Sequence, residues 1–437
     1  MQTNQVNQSL SRRAFLGVTG ATVGGLALAG CQPSPTKTSD GKVAIEFWHT
    51  YKDKVRQPVL DAMDRFNKAS TTVSVTDKVY PNYQPILTGI QAGSAAGSLP
   101  AVVAAVSLPN MNYVTSQLPH AVLQDVAARA NGGSAWLTDG WDPTLRQLGV
   151  IGDRQVGLPF GVSQAVLYYN TDLFAKAGVS QPPRTWDELR IAAAQIKERT
   201  GVTGLGFGEV EGETWMTEAL LNCNGVQLLE KGSAPKTGIG SAQAVAAMTV
   251  LADIVRTDKS GTLLSPQEGG QSFMSGQLGM LTATSSYLTS LESGSKFQVG
   301  VAPFPGFPAQ ERHLPAGGNA LIIFSQDQAV QDAAFSFLKE LASPAGITGL
   351  VKATGYTPPR SDVADSSEYL KAWYEADPRR TVSVAQQAHV VAPVAWPNNS
   401  VQIGQAVYDG VSKILAGGQN VASTLDGVAK TVDGLIR

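Results

Sequence analysis

Hydrophobic and polar positions divide the chain into strands and helices that follow one another in turn. Residues 43–48 alternate between apolar and polar positions, which predicts a strand with one buried face. A helix face follows, formed by Val55, Val59, Met63 and Phe66. Residues 73–79 predict a second strand, and the continuous apolar run 101–106 predicts a strand buried on both faces. Strands that alternate with helices indicate an α/β architecture.

Further helix patterns occur later along the chain. Thr185 and Glu188 have the spacing of a capping box, which predicts a helix that continues to about Arg199. Four further helix faces are marked by Met248, Leu251 and Val255; by Ala334, Phe337, Leu338 and Leu341; by Val407, Val411 and Leu415; and by Leu425, Val428, Val432 and Leu435. The sequence after residue 40 contains no tandem repeat, long linker or low-complexity block. We therefore expect lobes that are interleaved along the chain.

Length and charge exclude several classes of protein. The 437 residues suggest two to three domains or one two-lobed body. The 33 Lys and Arg residues nearly balance the 35 Asp and Glu residues, so the clustered positive charge of a nucleic-acid binder is missing. Only 16% of the residues are charged and 43% are hydrophobic, which is the opposite of a disordered chain. The chain therefore folds, and no nucleic-acid partner is expected.

The N-terminus has the pattern of an export signal. Arg12 and Arg13 precede an uncharged Gly/Ala-rich run, residues 14–30, which is too short for a spanning helix and resembles a twin-arginine signal. The run ends in Leu28-Ala29-Gly30-Cys31, which resembles a lipobox, so we expect a signal peptide at 1–30, lipid on Cys31 and a flexible tether at 31–40. The alternative is an ordinary N-terminus with a chance Ala/Gly run. Either way Cys223, the other cysteine, is expected to be a small buried residue.

Motifs for catalysis or metal binding are missing from the sequence. The four histidines, His49, His120, His313 and His389, are isolated from one another, and no HExxH, CxxC or GxSxG motif occurs. The Gly-rich segment 204–208 lacks nucleotide-binding spacing and is interpreted as a turn. Glu209, Glu211 and Glu213 are interpreted as a solvated charged loop. We expect no enzyme activity, no cofactor and no metal.

Aromatic and small polar residues stand instead at predicted strand ends and in loops. They are Trp48, His49, Tyr80, Tyr83, Trp215, Ser285, Ser286, Tyr287, Tyr356 and Trp396. A sugar or polyol has hydroxyls around its rim and C–H groups on its faces, so its site needs neutral hydrogen-bonding groups and aromatic platforms. Each of these aromatics alone is more often a core residue than a site residue. The interpretation as a site requires that they converge in a cleft.

Four stretches also carry a family resemblance: residues 45–49 with 65–67; 158–160 with 167–178 and 183–189; 276–282; and 317–320 with 354–358. Through them the chain resembles the extracellular solute-binding proteins of ABC importers, in the carbohydrate-binding group. It is most similar to the members that bind glycerol 3-phosphate. The resemblance implies a two-lobed, type II periplasmic-binding-protein-like α/β fold. It also implies a monomer that delivers a sugar, polyol or glycerophosphate-like solute to permease subunits from the periplasm or cell surface, where the lipid anchors it to a membrane.

The resemblance also implies lobes, hinges and site residues. Lobe 1 is expected from 41–162 and 316–346, lobe 2 from 163–315 and 347–437, with crossings near 161–164, 313–317 and 343–349. Carried over residue by residue, the ligand site includes Tyr83, Ser163, Ser285 or Ser286, Gly318 and Tyr356, walled by Trp215. His49 and Trp396 are added from the aromatic pattern, and Ser107 from the end of the buried strand.

Two positions depart from the glycerol-3-phosphate-binding pattern. A glutamate expected after the buried strand is replaced by Ser107, and no arginine occurs near Gly404 to hold a phosphate. Without that arginine a phosphate would lose its strongest charge-assisted hydrogen bonds. A neutral sugar or polyol, or a phosphodiester, therefore remain as alternatives. A secreted hydrolase of the same solutes and a non-transport surface lipoprotein are the alternative functions.

Overall fold

The computed structural model describes residues 37–97, 101–230, 232 and 234–437. The predicted signal peptide and lipidation site, Cys31 included, lie outside the described residues. Within the described part, no helix is both long and apolar enough to cross a bilayer.

Two five-stranded mixed sheets form the framework. The strands are β1 Val43–His49, β2 Val73–Val79, β3 Val102–Ser107, β4 Val150–Ile151, β5 Arg154–Gln155, β6 Leu158–Ser163, β7 Ala165–Asn170, β8 Thr203–Gly208, β9 Leu229–Glu230, β10 Lys236–Thr237, β11 Gly261–Leu264, β12 Leu278–Thr284, β13 Val299–Pro303, β14 Leu314–Pro315, β15 Gly317–Phe324 and β16 Val390–Val391. The first sheet has the order β2-β1-β3-β15-β6 and the second the order β11-β8-β12-β7-β13. The α/β expectation is confirmed.

Helices connect these strands and cover the sheets. They are α1 Asp53–Ala69, α2 Tyr83–Ala95, α3 Met111–Gln117, α4 Leu123–Arg129, α5 Gly133–Trp136, α6 Pro143–Gln147, α7 Thr171–Ala177, α8 Trp186–Thr200, α9 Trp215–Asn222, α10 Ala242–Ala252, α11 Pro266–Met274, α12 Leu288–Gly294, α13 Gln328–Leu341, α14 Pro344–Thr354, α15 Ser361–Ala364, α16 Lys371–Glu375, α17 Val382–Ala385, α18 Ser400–Ala416 and α19 Val421–Ile436. The predicted capping box is present at α8, where Thr185 Oγ1 accepts from the Glu188 N–H and the Glu188 carboxylate accepts from the Thr185 N–H.

Lobe 1 is the first sheet with the helices that pack on it. Its strand β3 is buried along its whole length, as the continuous apolar run predicted. Phe47 of β1 packs edge-on against Phe337 of α13, and the apolar face of α1 covers the same side of the sheet. Burial of these continuous apolar surfaces supplies the main driving force for folding the lobe.

Lobe 2 is the second sheet with its own helices, including the C-terminal pair α18 and α19. The segment 204–208 is a strand here, β8, and the interpretation as a turn was wrong. A side chain at Gly204 would place its Cβ 2.2 Å from the Ala193 carbonyl oxygen, so the glycine allows α8 to pack directly on the sheet. Cys223 is fully buried in this lobe, as expected.

Three chain segments cross between the lobes. Gln164 joins β6 to β7, and residues 304–316 lead from β13 to β15. The third crossing begins after Tyr374, which still packs in lobe 1, and is complete by Val394, which packs in lobe 2. Between them the chain contacts both lobes, with Val382 against lobe 2 and Val390 against lobe 1.

The expected boundary at residue 346 therefore differs from the structure. Ile347, Leu350 and Val351 of α14 are buried in the lobe 1 core. The break at Ser343 separates two helices, α13 and α14, that both pack against α1, so it is a turn within lobe 1 rather than a crossing.

Side-chain amides connect the crossings. Gln164 is fully buried, and its Nε2 donates to Thr357 Oγ1 at 3.2 Å. Gln386 Nε2 donates to the Ala165 carbonyl oxygen at 3.1 Å, and its Oε1 accepts from the Phe304 N–H at 2.9 Å. Buried amides satisfied in this way link the first crossing to the start of the second without introducing a charge.

Candidate functional site

A cavity of about 210 Å³ lies between the lobes. Lobe 1 contributes the predicted site residues Tyr83, Ser107, Ser163, Gly318 and Tyr356. Lobe 2 contributes the predicted residues Trp215 and Ser286, together with Glu209, Glu213, Thr282 and Tyr287. The wall thus combines hydroxyl groups, aromatic rings and carboxylates with apolar side chains such as Met216 and Leu281, and a solute in the cavity would touch both lobes.

A buried amide fixes Tyr83 at the cavity wall. Asn319, fully buried in β15, donates from Nδ2 to the Tyr83 hydroxyl at 3.2 Å and to the Tyr51 hydroxyl at 2.9 Å. The Tyr51 hydroxyl also lies 3.2 Å from Asn319 Oδ1. Tyr51 thus contacts both the oxygen and the nitrogen of the Asn319 amide and fixes its orientation. The amide in turn holds the Tyr83 hydroxyl in position at the cavity wall.

Tyr356 reaches from lobe 1 towards lobe 2. It follows the C-terminus of α14, where Gly355 adopts a left-handed conformation with φ of 84°. Its hydroxyl lies near the hydroxyls of Tyr83 and of Ser286, which belongs to lobe 2. Burial raises the pKa of the Tyr356 hydroxyl well above its usual range, so the group stays protonated and can donate a hydrogen bond.

Trp215 begins α9 and forms the opposite wall. Its indole Nε1 donates to the Pro315 carbonyl oxygen at 3.0 Å, which orients the ring. The ring packs against Gly317, where a Cβ would lie 2.7 Å from its Cζ2 atom. At the neighbouring Gly318, φ is 95° and a Cβ would lie 1.8 Å from the Gly161 carbonyl oxygen. Glycine at these positions brings the backbone of β15 to the cavity surface.

Glu209 holds the N-terminus of α9. Its carboxylate accepts hydrogen bonds from the backbone N–H groups of Val210, Met216 and Thr217, at 3.0, 3.2 and 2.6 Å. Burial nevertheless raises its pKa to about 7. Glu209 is only 2% exposed, so the interpretation of this segment as a solvated charged loop was wrong for Glu209, and only Glu211 is exposed.

Two more carboxylates follow along the same segment. Glu218 accepts a hydrogen bond from the Val394 N–H at 2.8 Å, and burial raises its pKa to about 8. Burial also raises the pKa of Glu213, which lines the cavity. Among the described residues that line the cavity, none is Lys, Arg or His. The cavity is therefore electrostatically negative to neutral.

Three predicted site residues lie elsewhere. His49 is fully buried behind the cavity wall, where its Nδ1 accepts from the Tyr51 N–H and its Nε2 lies 3.1 Å from Asp77. Burial lowers the pKa of His49 to about 4, so the ring is neutral near pH 7. Ser285 is buried beside the first crossing, where its Oγ accepts from the Gln164 N–H at 3.3 Å. Trp396 packs against the lobe 2 core.

Several lining residues were not anticipated. Thr282 is fully buried in β12, and its hydroxyl has no hydrogen-bond partner among the described residues. Tyr287 was noted only as part of an aromatic run, and Glu213 was assigned to solvent. Thr282 could have been noticed in the sequence, because a polar residue within an otherwise apolar strand needs a hydrogen-bond partner inside the protein or from a bound solute. Nothing in the sequence around Glu213 indicates that it faces a cavity.

Comparisons with known proteins fit this geometry. A family model described as bacterial extracellular solute-binding protein matches residues 61–382. The sn-glycerol-3-phosphate-binding periplasmic protein UgpB of Pectobacterium atrosepticum is 24% identical over 416 residues, covering 90% of this chain and 91% of its own. UgpB of Escherichia coli K12 is 25% identical over 380 residues, with 83% of each chain covered.

Solved structures share the whole fold. The cyclic alpha-maltosyl-1,6-maltose binding protein from Arthrobacter globiformis has a TM-score of 0.78 at 25% identity, covering 91% of this chain and 99% of that one. UgpB from Mycobacterium tuberculosis in complex with glycerophosphocholine has a TM-score of 0.79 at 18% identity, covering 90% and 98%.

Proposed function

The chain belongs to the bacterial extracellular solute-binding protein family, and from this premise we propose that it captures a hydroxyl-rich solute that carries no net negative charge. It is the substrate-binding component of an ABC-type importer for sugars or glycerol-phosphate-type solutes. Within that range we propose a carbohydrate or polyol rather than a phosphate monoester.

The absence of a cation among the described lining residues is the observation that carries this proposal. A phosphate monoester has about two negative charges at pH 7 and is bound by Arg, Lys or several backbone N–H groups. Here the Glu213 carboxylate, which has no such partner among the described residues, would repel it. Tyr83, Tyr356 and Ser286 instead offer neutral hydroxyls, and the Trp215 ring offers an apolar face for C–H groups.

The arrangement of the site suits closure on the solute. Tyr83 and Tyr356 belong to lobe 1, whereas Trp215 and Ser286 belong to lobe 2. A solute that bonds to both walls stabilises the closed form over the open one and so shifts the population towards it. The closed form would then be recognised by the permease subunits.

We infer binding without catalysis. The relatives and neighbours that match this chain are named as binding proteins. In the described part of the chain no group of His, Cys, Asp and Glu residues is placed to hold a metal ion. Cys223 is buried, with a pKa raised by burial to about 12, and so is unsuited to act as a nucleophile.

Export and anchoring are proposed on the sequence alone. The twin arginines and Leu28-Ala29-Gly30-Cys31 support cleavage before Cys31 and lipid on its thiol. A diacylglyceryl group with a further acyl chain would hold the protein at a membrane, near the permease. Fractionation of cells with Cys31→Ser should release the protein from membranes, and mass spectrometry should show the loss of lipid. Membrane retention of this variant contradicts the proposal.

Calorimetry with a panel of neutral mono- and oligosaccharides, polyols and sn-glycerol 3-phosphate tests the solute class. We expect a saturable one-site signal with a carbohydrate or polyol and weaker binding of sn-glycerol 3-phosphate. Small-angle scattering on the same samples should report a more compact form with the bound solute. Binding of sn-glycerol 3-phosphate tighter than that of every neutral solute contradicts the proposal.

A further inference from the structure

One short segment of lobe 2 carries three carboxylates, two of which, Glu209 and Glu213, line the cavity. Glu209 directly follows β8, Glu213 lies in the loop after it, and Glu218 lies in α9. Glu209 and Glu218 are 2% and 7% exposed, whereas Glu213 is half-buried. A buried negative charge is costly unless a hydrogen bond or a positive charge compensates it. The hydrogen-bond and ion-pair partners of each carboxylate therefore indicate which compensating group a solute would have to supply.

Two of the three carboxylates are already compensated within the protein. Glu209 accepts from three backbone N–H groups at the start of α9, and Glu218 accepts from the Val394 N–H. For Glu213 no hydrogen bond or ion pair is found among the described residues, and burial alone accounts for its raised pKa. Glu213 lines the cavity. Its partner has to come from the solute or from solvent.

The loop that carries Glu213 is held in place by close packing. A side chain at Gly404 of α18 would place its Cβ 1.8 Å from the Gly212 carbonyl oxygen, so helix and loop are in direct backbone contact. On the C-terminal side of Glu213, the Trp215 indole donates a hydrogen bond to the Pro315 carbonyl oxygen. Glu213 lies between these two fixed points in the sequence. The backbone that carries Glu213 is thus constrained on both sides.

Aromatic groups from both lobes line the cavity that Glu213 faces. Tyr83, Trp215 and Tyr287 all line it, and the charge of Glu213 is close enough to raise the pKa of the Tyr83 hydroxyl, although burial raises that pKa more. Aromatic faces attract cations, and the attraction grows when water is excluded. The unpartnered hydroxyl of Thr282 adds a hydrogen-bonding group on the lobe 2 wall.

We propose that the cavity prefers solutes in which a positively charged nitrogen stands beside hydroxyl groups, and that Glu213 supplies the counter-charge among the aromatic rings. This inference rests on the proposed function and narrows its solute class. A neutral sugar would satisfy the hydroxyls of the wall but leave the charge of Glu213 uncompensated. A protonated amine or a quaternary ammonium group compensates it, the first through N–H bonds and charge, the second through charge and the aromatic faces alone.

Two matched pairs of probes test the inference by calorimetry on the purified protein. D-glucosamine is compared with D-glucose, and choline with its uncharged isostere 3,3-dimethyl-1-butanol. We expect the cationic member of at least one pair to bind about tenfold tighter or more, since a bond to a charged group is worth more than a neutral one. A preference in the first pair identifies a protonated amine as the recognised group, and one in the second a quaternary ammonium.

Glu213→Gln should reduce that preference to within about threefold, because the amide keeps the shape and loses the charge. Glu211→Gln is the matched control, since Glu211 is exposed and does not line the cavity. Circular dichroism on both variants checks that they are folded. Equal affinities within both pairs, failure of both cationic probes to bind, or an unchanged preference in Glu213→Gln would overturn the inference. If neutral sugars still bind, the proposed function stands without this inference. If no solute of the panel binds, both the proposed function and the inference are contradicted.

Discussion

The indole Nε1 of Trp215 donates a hydrogen bond of 3.0 Å to the carbonyl oxygen of Pro315. Trp215 begins a helix of lobe 2, and Pro315 lies in the segment that crosses to lobe 1. The ring that walls the cavity is therefore attached to one of the crossings on which closure depends. Solute binding and lobe closure therefore both involve the Trp215 side chain.

Replacing Trp215 by Phe should weaken solute binding about five- to tenfold. The change removes a hydrogen bond worth about 1 kcal/mol and part of the apolar face. Trp396→Phe is the matched control, because Trp396 packs against the lobe 2 core away from the cavity. Calorimetry with the solute identified in the panel measures both variants. Equal affinities for Trp215→Phe and the control would show that the ring takes no part in binding.

Gly317→Ala should weaken binding without unfolding the protein. The added Cβ would lie 2.7 Å from both Trp215 Cζ2 and Ser163 Oγ, so one of these side chains has to move away from the cavity wall. Gly427→Ala is the control, since nothing lies within 4 Å of the Cβ that this helical glycine would gain. There alanine should stabilise the helix by about 0.5–1 kcal/mol. Thermal unfolding and calorimetry on both variants separate stability from affinity.

Asn319→Ala should reduce both stability and affinity. It leaves the hydroxyls of Tyr51 and Tyr83 without their shared partner, at a cost of about 1–3 kcal/mol. Tyr51→Phe removes only the hydroxyl behind the amide, so we expect a smaller loss of stability and an affinity within about threefold of the original. Urea unfolding and calorimetry provide the comparison. An affinity for Asn319→Ala equal to that of the unmodified protein would contradict a positioning role.

Glu218→Gln should change how stability depends on pH. Burial raises the pKa of Glu218 from 4.5 to about 8, so between these values the folded protein keeps a proton that the unfolded chain releases. Stability from this group therefore falls as pH rises through that window, by up to about 1.4 kcal/mol per pH unit. The glutamine variant lacks this slope and can still accept from the Val394 N–H through its amide oxygen.

Urea unfolding at pH 5, 6.5 and 8 measures the effect as the difference between Glu218→Gln and the unmodified protein. The contribution of His49 has the opposite sign below pH 6.5, because burial lowers its pKa to about 4, and it cancels in this difference. Glu211→Gln should give a profile parallel to that of the unmodified protein. A parallel profile for Glu218→Gln as well would show that Glu218 has an ordinary pKa in the folded state.

Local patterns predicted the elements well, because they depend on neighbours in sequence. The buried run before Ser107 is β3, and Thr185 and Glu188 form the predicted capping box. The third crossing was misplaced because a helix break at Ser343 looks the same whether the next helix stays in its lobe or leaves it. Only the packing of Ile347 against lobe 1 decides this.

Residues that matched the family pattern, such as Tyr83 and Tyr356, do line the cavity, and their role in binding stays a prediction. The site was not predictable where burial is decided by distant segments. Glu209 looks like a loop carboxylate in sequence, yet three N–H groups of the following residues bind it inside the protein. His49 stands next to a cavity-lining network but lies behind it, because alternation along β1 turns its ring towards Asp77.

The interleaving of the lobes along the chain determines when each lobe can fold during synthesis. Lobe 1 needs β15, α13 and α14, and also Leu370 and Tyr374, before its core is complete. Those segments leave the ribosome only after most of lobe 2 has been synthesised. The nascent chain therefore cannot finish its N-terminal half first, as chains with sequential domains usually do. Lobe 1 therefore becomes foldable only after Tyr374 has been synthesised, when most of lobe 2 is also available.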